Sequence, residues 1–166
     1  MTRLVLALAG VAAAIGLSAC AGEPDRAANV VAPERLGAGE NWTGRMGDAL
    51  ETAYSRLDAI GTNTVSRLGL AFFVDLPGET SLEGTPIAVD GTIYFSGSHA
   101  RVYAVDGKTG AVKWTYDPQT WKFNPDKLVL NFAASRGIAY ADGRIFVAAF
   151  DGRLIALDAE TGREVW

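Results

Sequence analysis

A repeat of 52 residues constrains the fold of this 166-residue chain more than any other sequence feature. The stretch 101–114, RVYAVDGKTGAVKW, aligns without a gap on 153–166, RLIALDAETGREVW. At the same offset, DGTIY at 90–94 matches DGRIF at 142–146. Similarity at a fixed period of this length is typical of proteins in which one small structural unit is stacked repeatedly.

Each unit has the pattern of short antiparallel strands. In the first unit, Asp90-Gly91 separates two apolar runs and supplies the positive φ angles that a two-residue hairpin turn requires. The strands predicted there are 86–89, 92–95, 101–105 and 112–116. In the second unit they are 137–140, 144–148 and 153–157, followed by a last strand that stops at Trp166. Four strands in about 50 residues predict an all-β chain that forms about two blades of a β-propeller.

Both units share the pattern Ala-x-Asp-x-x-Thr-Gly-x-x-x-Trp. In the first unit Asp106 and Thr109 can hydrogen-bond the turn backbone, and Gly110 allows a left-handed conformation. The pattern resembles the tryptophan-docking motif of quinoprotein propellers, and the resemblance implies that Trp114 and Trp166 each pack against a neighbouring blade. The alternative is that both are core tryptophans of a β-sandwich.

The segment before the first unit extends this resemblance. Asn41-Trp42, the stretch 54–60 and the stretch 63–72 resemble the opening of methanol- and ethanol-type dehydrogenases that use pyrroloquinoline quinone (PQQ). The resemblance continues to Arg136, so 41–166 is identified as an incomplete quinoprotein β-propeller domain. The complete propeller is then expected to have eight blades, of which this chain would be the N-terminal fragment.

The resemblance implies two cofactor-binding residues. Glu83 corresponds to a glutamate of the quinone pocket, and Arg136 to an arginine that approaches the carboxylates of the quinone. A guanidinium suits this task because it binds carboxylates in a bidentate manner. The alternatives are that Glu83 is a solvated loop carboxylate and that Arg136 is a surface ion-pair partner.

The sequence departs from the family at one place. Alcohol-oxidising members carry two adjacent cysteines, joined as a disulfide, where this chain has Leu130 and Asn131. The calcium ligands and the catalytic aspartate of the family lie in later blades, so neither catalytic nor metal-binding residues are expected in this span. The fragment itself is expected to be inactive.

The N-terminus has the pattern of a bacterial lipoprotein signal. A basic residue, Arg3, precedes an uncharged apolar run, and Leu17-Ser18-Ala19-Cys20 resembles a lipobox. These residues predict a signal peptide over 1–20, lipidation of Cys20, and a flexible tether over 21–40 that ends before the propeller domain. The alternatives are an ordinary cleavage site near a free thiol, or an uncleaved anchor.

A short helix is predicted between the tether and the first unit. Within 43–57, apolar residues recur near one face of a helix: Met46, Leu50, Tyr54 and Leu57. Packing against the domain is their expected role.

Charge and composition exclude some functions. With 15 basic and 19 acidic residues, the net charge of −4 is typical neither of a nucleic-acid-binding chain nor of a disordered one. The family resemblance implies part of a dehydrogenase that oxidises a small alcohol with PQQ and calcium. The lipoprotein-type signal predicts that it is periplasmic and lipid-anchored to a membrane. A cytochrome c or a quinone would accept the electrons. The alternative is a non-enzymatic β-propeller scaffold of the outer-membrane protein assembly type.

Overall fold

The computed structural model describes residues 38–123 and 134–166. The described ranges contain seven strands and one α-helical turn: β1 (Ile87–Val89), β2 (Thr92–Ser96), β3 (Val102–Asp106), β4 (Val112–Tyr116), α1 (Thr120–Phe123), β5 (Ala139–Ala141), β6 (Arg144–Ala148) and β7 (Leu154–Asp158). Two short 3-10 turns occupy Val65–Arg67 and Ser98–Ala100. Within the described ranges, no helix has the length and apolar character needed to cross a bilayer.

The first sheet is a four-stranded antiparallel meander in the order β1-β2-β3-β4. The hairpin between β1 and β2 turns at Asp90 and Gly91, whose φ angles are 49° and 75°. Two successive positive φ angles match the right-handed twist of the flanking strands, and this is why Asp-Gly predicted the turn correctly. All four strands predicted for this unit are confirmed, with shifts of one residue at their ends.

The turn between β3 and β4 is built by one aspartate. Oδ1 of Asp106 accepts hydrogen bonds from the backbone N–H of Thr109 at 2.8 Å and from its hydroxyl at 2.8 Å. These bonds hold the pKa of Asp106 below its usual value. In the second unit Asp158 makes the same two bonds to Thr161, at 2.8 and 2.6 Å. The turn chemistry predicted for the repeat is therefore present in both units.

The second sheet contains β5, β6 and β7 in antiparallel order. Beyond β7 the chain turns back and begins to pair with it, since the N–H of Val165 donates to the carbonyl of Ala156 at 2.7 Å. The hydrophobic core lies between the two sheets, where aliphatic side chains of both are almost completely buried. Its largest fully buried members are Ile87, Val102, Ile145, Val147, Ile155 and Leu157. Two adjoining antiparallel sheets with a shared core confirm the prediction of an all-β chain.

The opposite face of the first sheet is covered by an extended segment, 72–76. Alternate residues of this segment, Phe72, Val74 and Leu76, are half-buried, while the residues between them are exposed. The same three side chains line an apolar cavity of about 310 Å³ with residues of β2 and β3. Because it is covered on both faces, β3 is buried at four consecutive positions instead of alternating.

The helix predicted within 43–57 is wrong. The structure has turns there, and Glu51 and Ala53 have φ angles of 54°, which no right-handed helix contains. Asp48 explains the difference, because its Oδ1 accepts from the N–H groups of Leu50 and Thr52 at 3.1 and 3.0 Å. An aspartate that bonds the backbone ahead of it offers the chain an alternative to helical hydrogen bonds.

Candidate functional site

The two predicted cofactor-binding residues are brought together where the two sheets meet. Thr85, just before β1, forms a parallel bridge with Gly137, just before β5. The N–H of Thr85 donates to the carbonyl of Arg136 at 3.3 Å. Glu83 and Arg136 are therefore neighbours in space although 53 positions separate them in the chain.

This junction requires a glycine at position 84. A Cβ atom at Gly84 would lie 2.5 Å from Oγ of Ser96 and 3.1 Å from the carbonyl oxygen of Ser135. The same serine hydroxyl donates to that carbonyl at 3.3 Å. Only a residue without a side chain lets the two backbone segments approach this closely, so Gly84 fixes the spacing between Glu83 and Arg136.

A cavity of about 420 Å³ opens at the junction, and the described residues that line it are Arg45, Glu83, Thr85 and Arg136. The guanidinium of Arg136 and the carboxylate of Glu83 approach to 4.0 Å, and their side chains are 86% and 52% exposed. An ion pair this exposed contributes roughly 0–1 kcal/mol to stability. Ser81 holds the other carboxylate oxygen, donating from Oγ to Oε1 of Glu83 at 2.9 Å.

The charges of this cavity favour an anionic ligand. Among the described lining residues, two guanidinium groups face one carboxylate, and that carboxylate already accepts from a serine hydroxyl. Arginine presents several N–H donors in a planar fork that matches carboxylates and phosphates. The sequence analysis did not predict Arg45 as a site residue. Arg45 lies before the first unit of the repeat, and the residue 52 positions later is Gly97, so the repeat gives no second arginine that would mark the position.

Trp114 joins the two sheets. Its indole Nε1–H, on β4 of the first sheet, donates to the carbonyl of Ala159 in the second unit at 3.0 Å. The ring covers Gly162, where a Cβ atom would lie 2.5 Å from the indole. The hydroxyl of Tyr94 donates to the same carbonyl at 3.1 Å. Trp166 occupies the corresponding position of the second unit and lies beside Phe146, with ring centroids 6.0 Å apart.

Phe72 packs over a turn glycine of the first sheet, as Trp114 packs over a turn glycine of the second. A Cβ atom at Gly110 would lie 2.5 Å from the ring of Phe72. Gly110 and Gly162 occupy the same place in the repeat and have φ angles of 77° and 70°. Each sheet therefore has an aromatic ring, supplied by a preceding part of the chain, over the glycine of its last turn.

A buried charge cluster around Glu79 has a structural role, because all its carboxylate oxygens are hydrogen-bonded within the protein. The carboxylate of Glu79, 3% exposed, accepts from Arg101 and from the hydroxyl of Tyr103, each at 2.6 Å, and from the N–H of Ser98. Burial alone would raise the pKa of Glu79, but these bonds and the nearby positive charge outweigh it and hold that pKa below its usual value. We assign this cluster to stability because every oxygen of the carboxylate has a partner.

Several sequence predictions lie outside the described ranges. They concern Cys20, Leu130 and Asn131, the signal peptide predicted over 1–20, and all but the last three residues of the tether predicted over 21–40.

The fold defines the class of this protein, a β-propeller repeat protein whose neighbouring sheets are joined by a docked tryptophan. The chain belongs to the family of PQQ-dependent dehydrogenases, since the model for "glucose/ethanol/alcohol dehydrogenase, beta-propeller domain" matches residues 42–166. This match confirms the family resemblance predicted from the sequence.

Relatives and solved structures agree with the family. The quinohemoprotein alcohol dehydrogenase of Comamonas testosteroni is 47% identical over 119 residues, 72% of this chain and 17% of the relative. The crystal structure of that enzyme superposes with a TM-score of 0.69 over 76% of this chain and 19% of its own, at 45% identity. The 1-butanol dehydrogenase (cytochrome c) of Thauera butanivorans is 36% identical over 82% of this chain and 20% of the relative.

A europium-containing methanol dehydrogenase also superposes, with a TM-score of 0.63 and 36% identity over 76% of this chain and 22% of its own. The chain thus spans about one fifth of the length of the relatives that it matches.

Proposed function

We propose that this chain forms part of a quinoprotein dehydrogenase that oxidises a small alcohol, with PQQ held in the cavity between the first and second sheets. The observation that carries the proposal is the meeting of Glu83 and Arg136 at one cavity in a member of a PQQ-dependent family. Oxidation of an alcohol releases electrons, so the enzyme needs an electron acceptor. Cytochrome c is one candidate, because the name of the Thauera butanivorans relative includes it.

The residues present fit the cofactor. PQQ carries several carboxylates on a flat ring system, and the cavity offers two guanidinium groups for anions. Its volume of about 420 Å³ is within the range of small-molecule sites. When bound, PQQ supplies the two-electron acceptor for alcohol oxidation. The role of the described residues is to bind and orient it, with Ser81 fixing the carboxylate of Glu83.

A metal ion belongs to the proposal as well, because one structural relative is a europium-containing enzyme. Among residues 38–123 and 134–166, no group of three or more histidine, cysteine, aspartate or glutamate side chains could hold a metal. Calcium therefore stays a prediction from the family resemblance, and no step through a metal is derived from these residues.

The scaffold alternative is not favoured. The family model describes dehydrogenases, and relatives that are 36–47% identical to this chain are named as alcohol dehydrogenases. No described feature of the first or second sheet favours a protein-binding role over a quinone site.

Replacing Arg136 with alanine tests the proposed site. In the protein expressed from its complete reading frame, we expect PQQ to bind and to raise the melting temperature. We expect R136A to weaken binding by about tenfold or more, because a charge-assisted bidentate contact is lost. Titration of PQQ, followed by absorbance and by thermal melts, measures both effects. No binding by the wild-type protein would move the assignment to the scaffold.

The location of the protein is also a proposal. A periplasmic site and a lipid anchor at Cys20 rest on the lipobox-like stretch 17–20. Cys20→Ser is expected to abolish lipid labelling, and globomycin is expected to make the unprocessed precursor of the wild-type protein accumulate. Unchanged processing in the presence of globomycin would contradict the anchor.

A further inference from the structure

We propose that Arg45 is a further binding residue of the cavity and contacts a carboxylate group of the quinone. This inference rests on the proposed function and adds a residue to that site. Arg45 lies 38 positions before Glu83 and outside the repeat, yet its side chain lines the same cavity as Glu83 and Arg136. Three parts of the chain therefore contribute charged groups to one site.

The segment that carries Arg45 is fixed to the first sheet on its N-terminal side. Trp42 and Ala88 exchange two backbone hydrogen bonds of 2.7 and 2.8 Å, which makes Trp42 an antiparallel neighbour of β1. The side chain of Asn41 adds two more contacts to Asp90, donating to its carboxylate at 3.1 Å and accepting from its N–H at 2.9 Å. Arg45 follows this anchor by three residues.

Backbone hydrogen bonds also hold the segment on the C-terminal side of Arg45. The N–H of Thr43 donates to the carbonyl of Gly47 at 3.2 Å, and the N–H of Gly47 donates to Gly44 at 3.1 Å. The indole of Trp42 covers Gly47, which has a φ of 94° and where a Cβ atom would lie 2.9 Å from the ring. Arg45 is thus presented by a short loop whose two ends are both fixed, although its side chain is exposed.

An arginine on a fixed loop, lining the same cavity as an exposed ion pair, points to a ligand. The carboxylate of Glu83 lies near Arg136 and accepts from Ser81. Among the described residues that line the cavity, one carboxylate thus faces two guanidinium groups, and a positive charge is left uncompensated. A ligand with several carboxylates can contact both guanidinium groups at once. Presentation of Arg45 by a preorganised loop lowers the entropy that such a contact costs.

The experiment compares PQQ binding to wild-type protein, R45A, R45K and a matched control, R67A, all expressed from the complete reading frame. Arg67 is exposed and does not line the cavity, so R67A removes one positive charge elsewhere. Dissociation constants are measured by absorbance titration at low and at moderate salt. Far-UV circular dichroism checks that each variant is folded.

We expect R45A to weaken PQQ binding by about tenfold at low salt, and by less at moderate salt, because salt screens the charge that is lost. R45K should lie between wild type and R45A, since lysine keeps the charge but loses the planar fork. R67A should bind like wild type.

Equal binding by R45A and wild type, with R136A still weakened, would overturn this inference and leave the proposed function intact. Equal weakening by R45A and R67A would also overturn it, because it would show only an effect of net charge. Absence of PQQ binding in the wild-type protein would overturn both proposals.

Discussion

Replacing Trp114 with alanine is expected to lower the free energy of unfolding by about 3 kcal/mol. The substitution removes the indole that lies over Gly162 and leaves the carbonyl of Ala159 with one donor, Tyr94, instead of two. Urea unfolding followed by far-UV circular dichroism measures the change. Fluorescence is unsuitable because the variant itself loses a fluorophore.

Trp121→Ala is the matched control for that loss. Trp121 lies in α1 and is 59% exposed, so its removal should change the free energy of unfolding by less than about 1 kcal/mol. Trp114→Phe keeps an aromatic ring but removes the indole hydrogen bond, so it separates the two contributions. It should lower the free energy of unfolding by about half as much as Trp114→Ala. If W114A and W121A unfolded at the same urea concentration, Trp114 would not be what joins the two sheets.

Gly162→Ala is expected to destabilise the protein by about 3 kcal/mol, and Gly143→Ala by about 1 kcal/mol. Both glycines have φ angles near +70°, so alanine pays a similar conformational cost at each. They differ in space: a Cβ atom at Gly143 meets nothing within 4 Å, whereas at Gly162 it lies 2.5 Å from the indole of Trp114. The difference between the two variants therefore measures the packing of the tryptophan alone.

The two substitutions can be combined to check this reasoning. Once Trp114 is alanine, Gly162→Ala should cost no more than Gly143→Ala, because the clash has gone and only the backbone cost remains. The double variant and both single variants are compared by their urea midpoints. An equal cost of Gly162→Ala with and without the indole would show that the crowding is relieved by other movements.

Local chemistry explains how much of the fold the sequence predicted. The hairpin at Asp90-Gly91 and the turn at Asp106 are decided by residues within a few positions of one another, and the 52-residue repeat presents the same chemistry twice. The predicted helix within 43–57 failed for a local reason as well. Its apolar spacing was correct for a helix, but the carboxylate of Asp48 bonds the backbone and directs it into turns.

The candidate site depended on contacts that no local pattern contains. Glu83 and Arg136 were named from the family resemblance, and their approach results from the bridge between Thr85 and Gly137, which precede the first strands of the two sheets. Neither the family resemblance nor the repeat had indicated Arg45 as a site residue. Its place at the cavity follows from the pairing of Trp42 with β1, and the sequence indicated only that Asn41-Trp42 was a distinctive pair.

The chain order of each docked ring and its glycine has a consequence for synthesis on the ribosome. The two pairs are Phe72 with Gly110 and Trp114 with Gly162. In both pairs the aromatic ring precedes in the chain the glycine that it covers. As chains emerge N-terminus first, the ring has already left the ribosome when the turn that receives it appears. Each sheet can then dock on the segment made before it, so assembly can advance one unit at a time during translation.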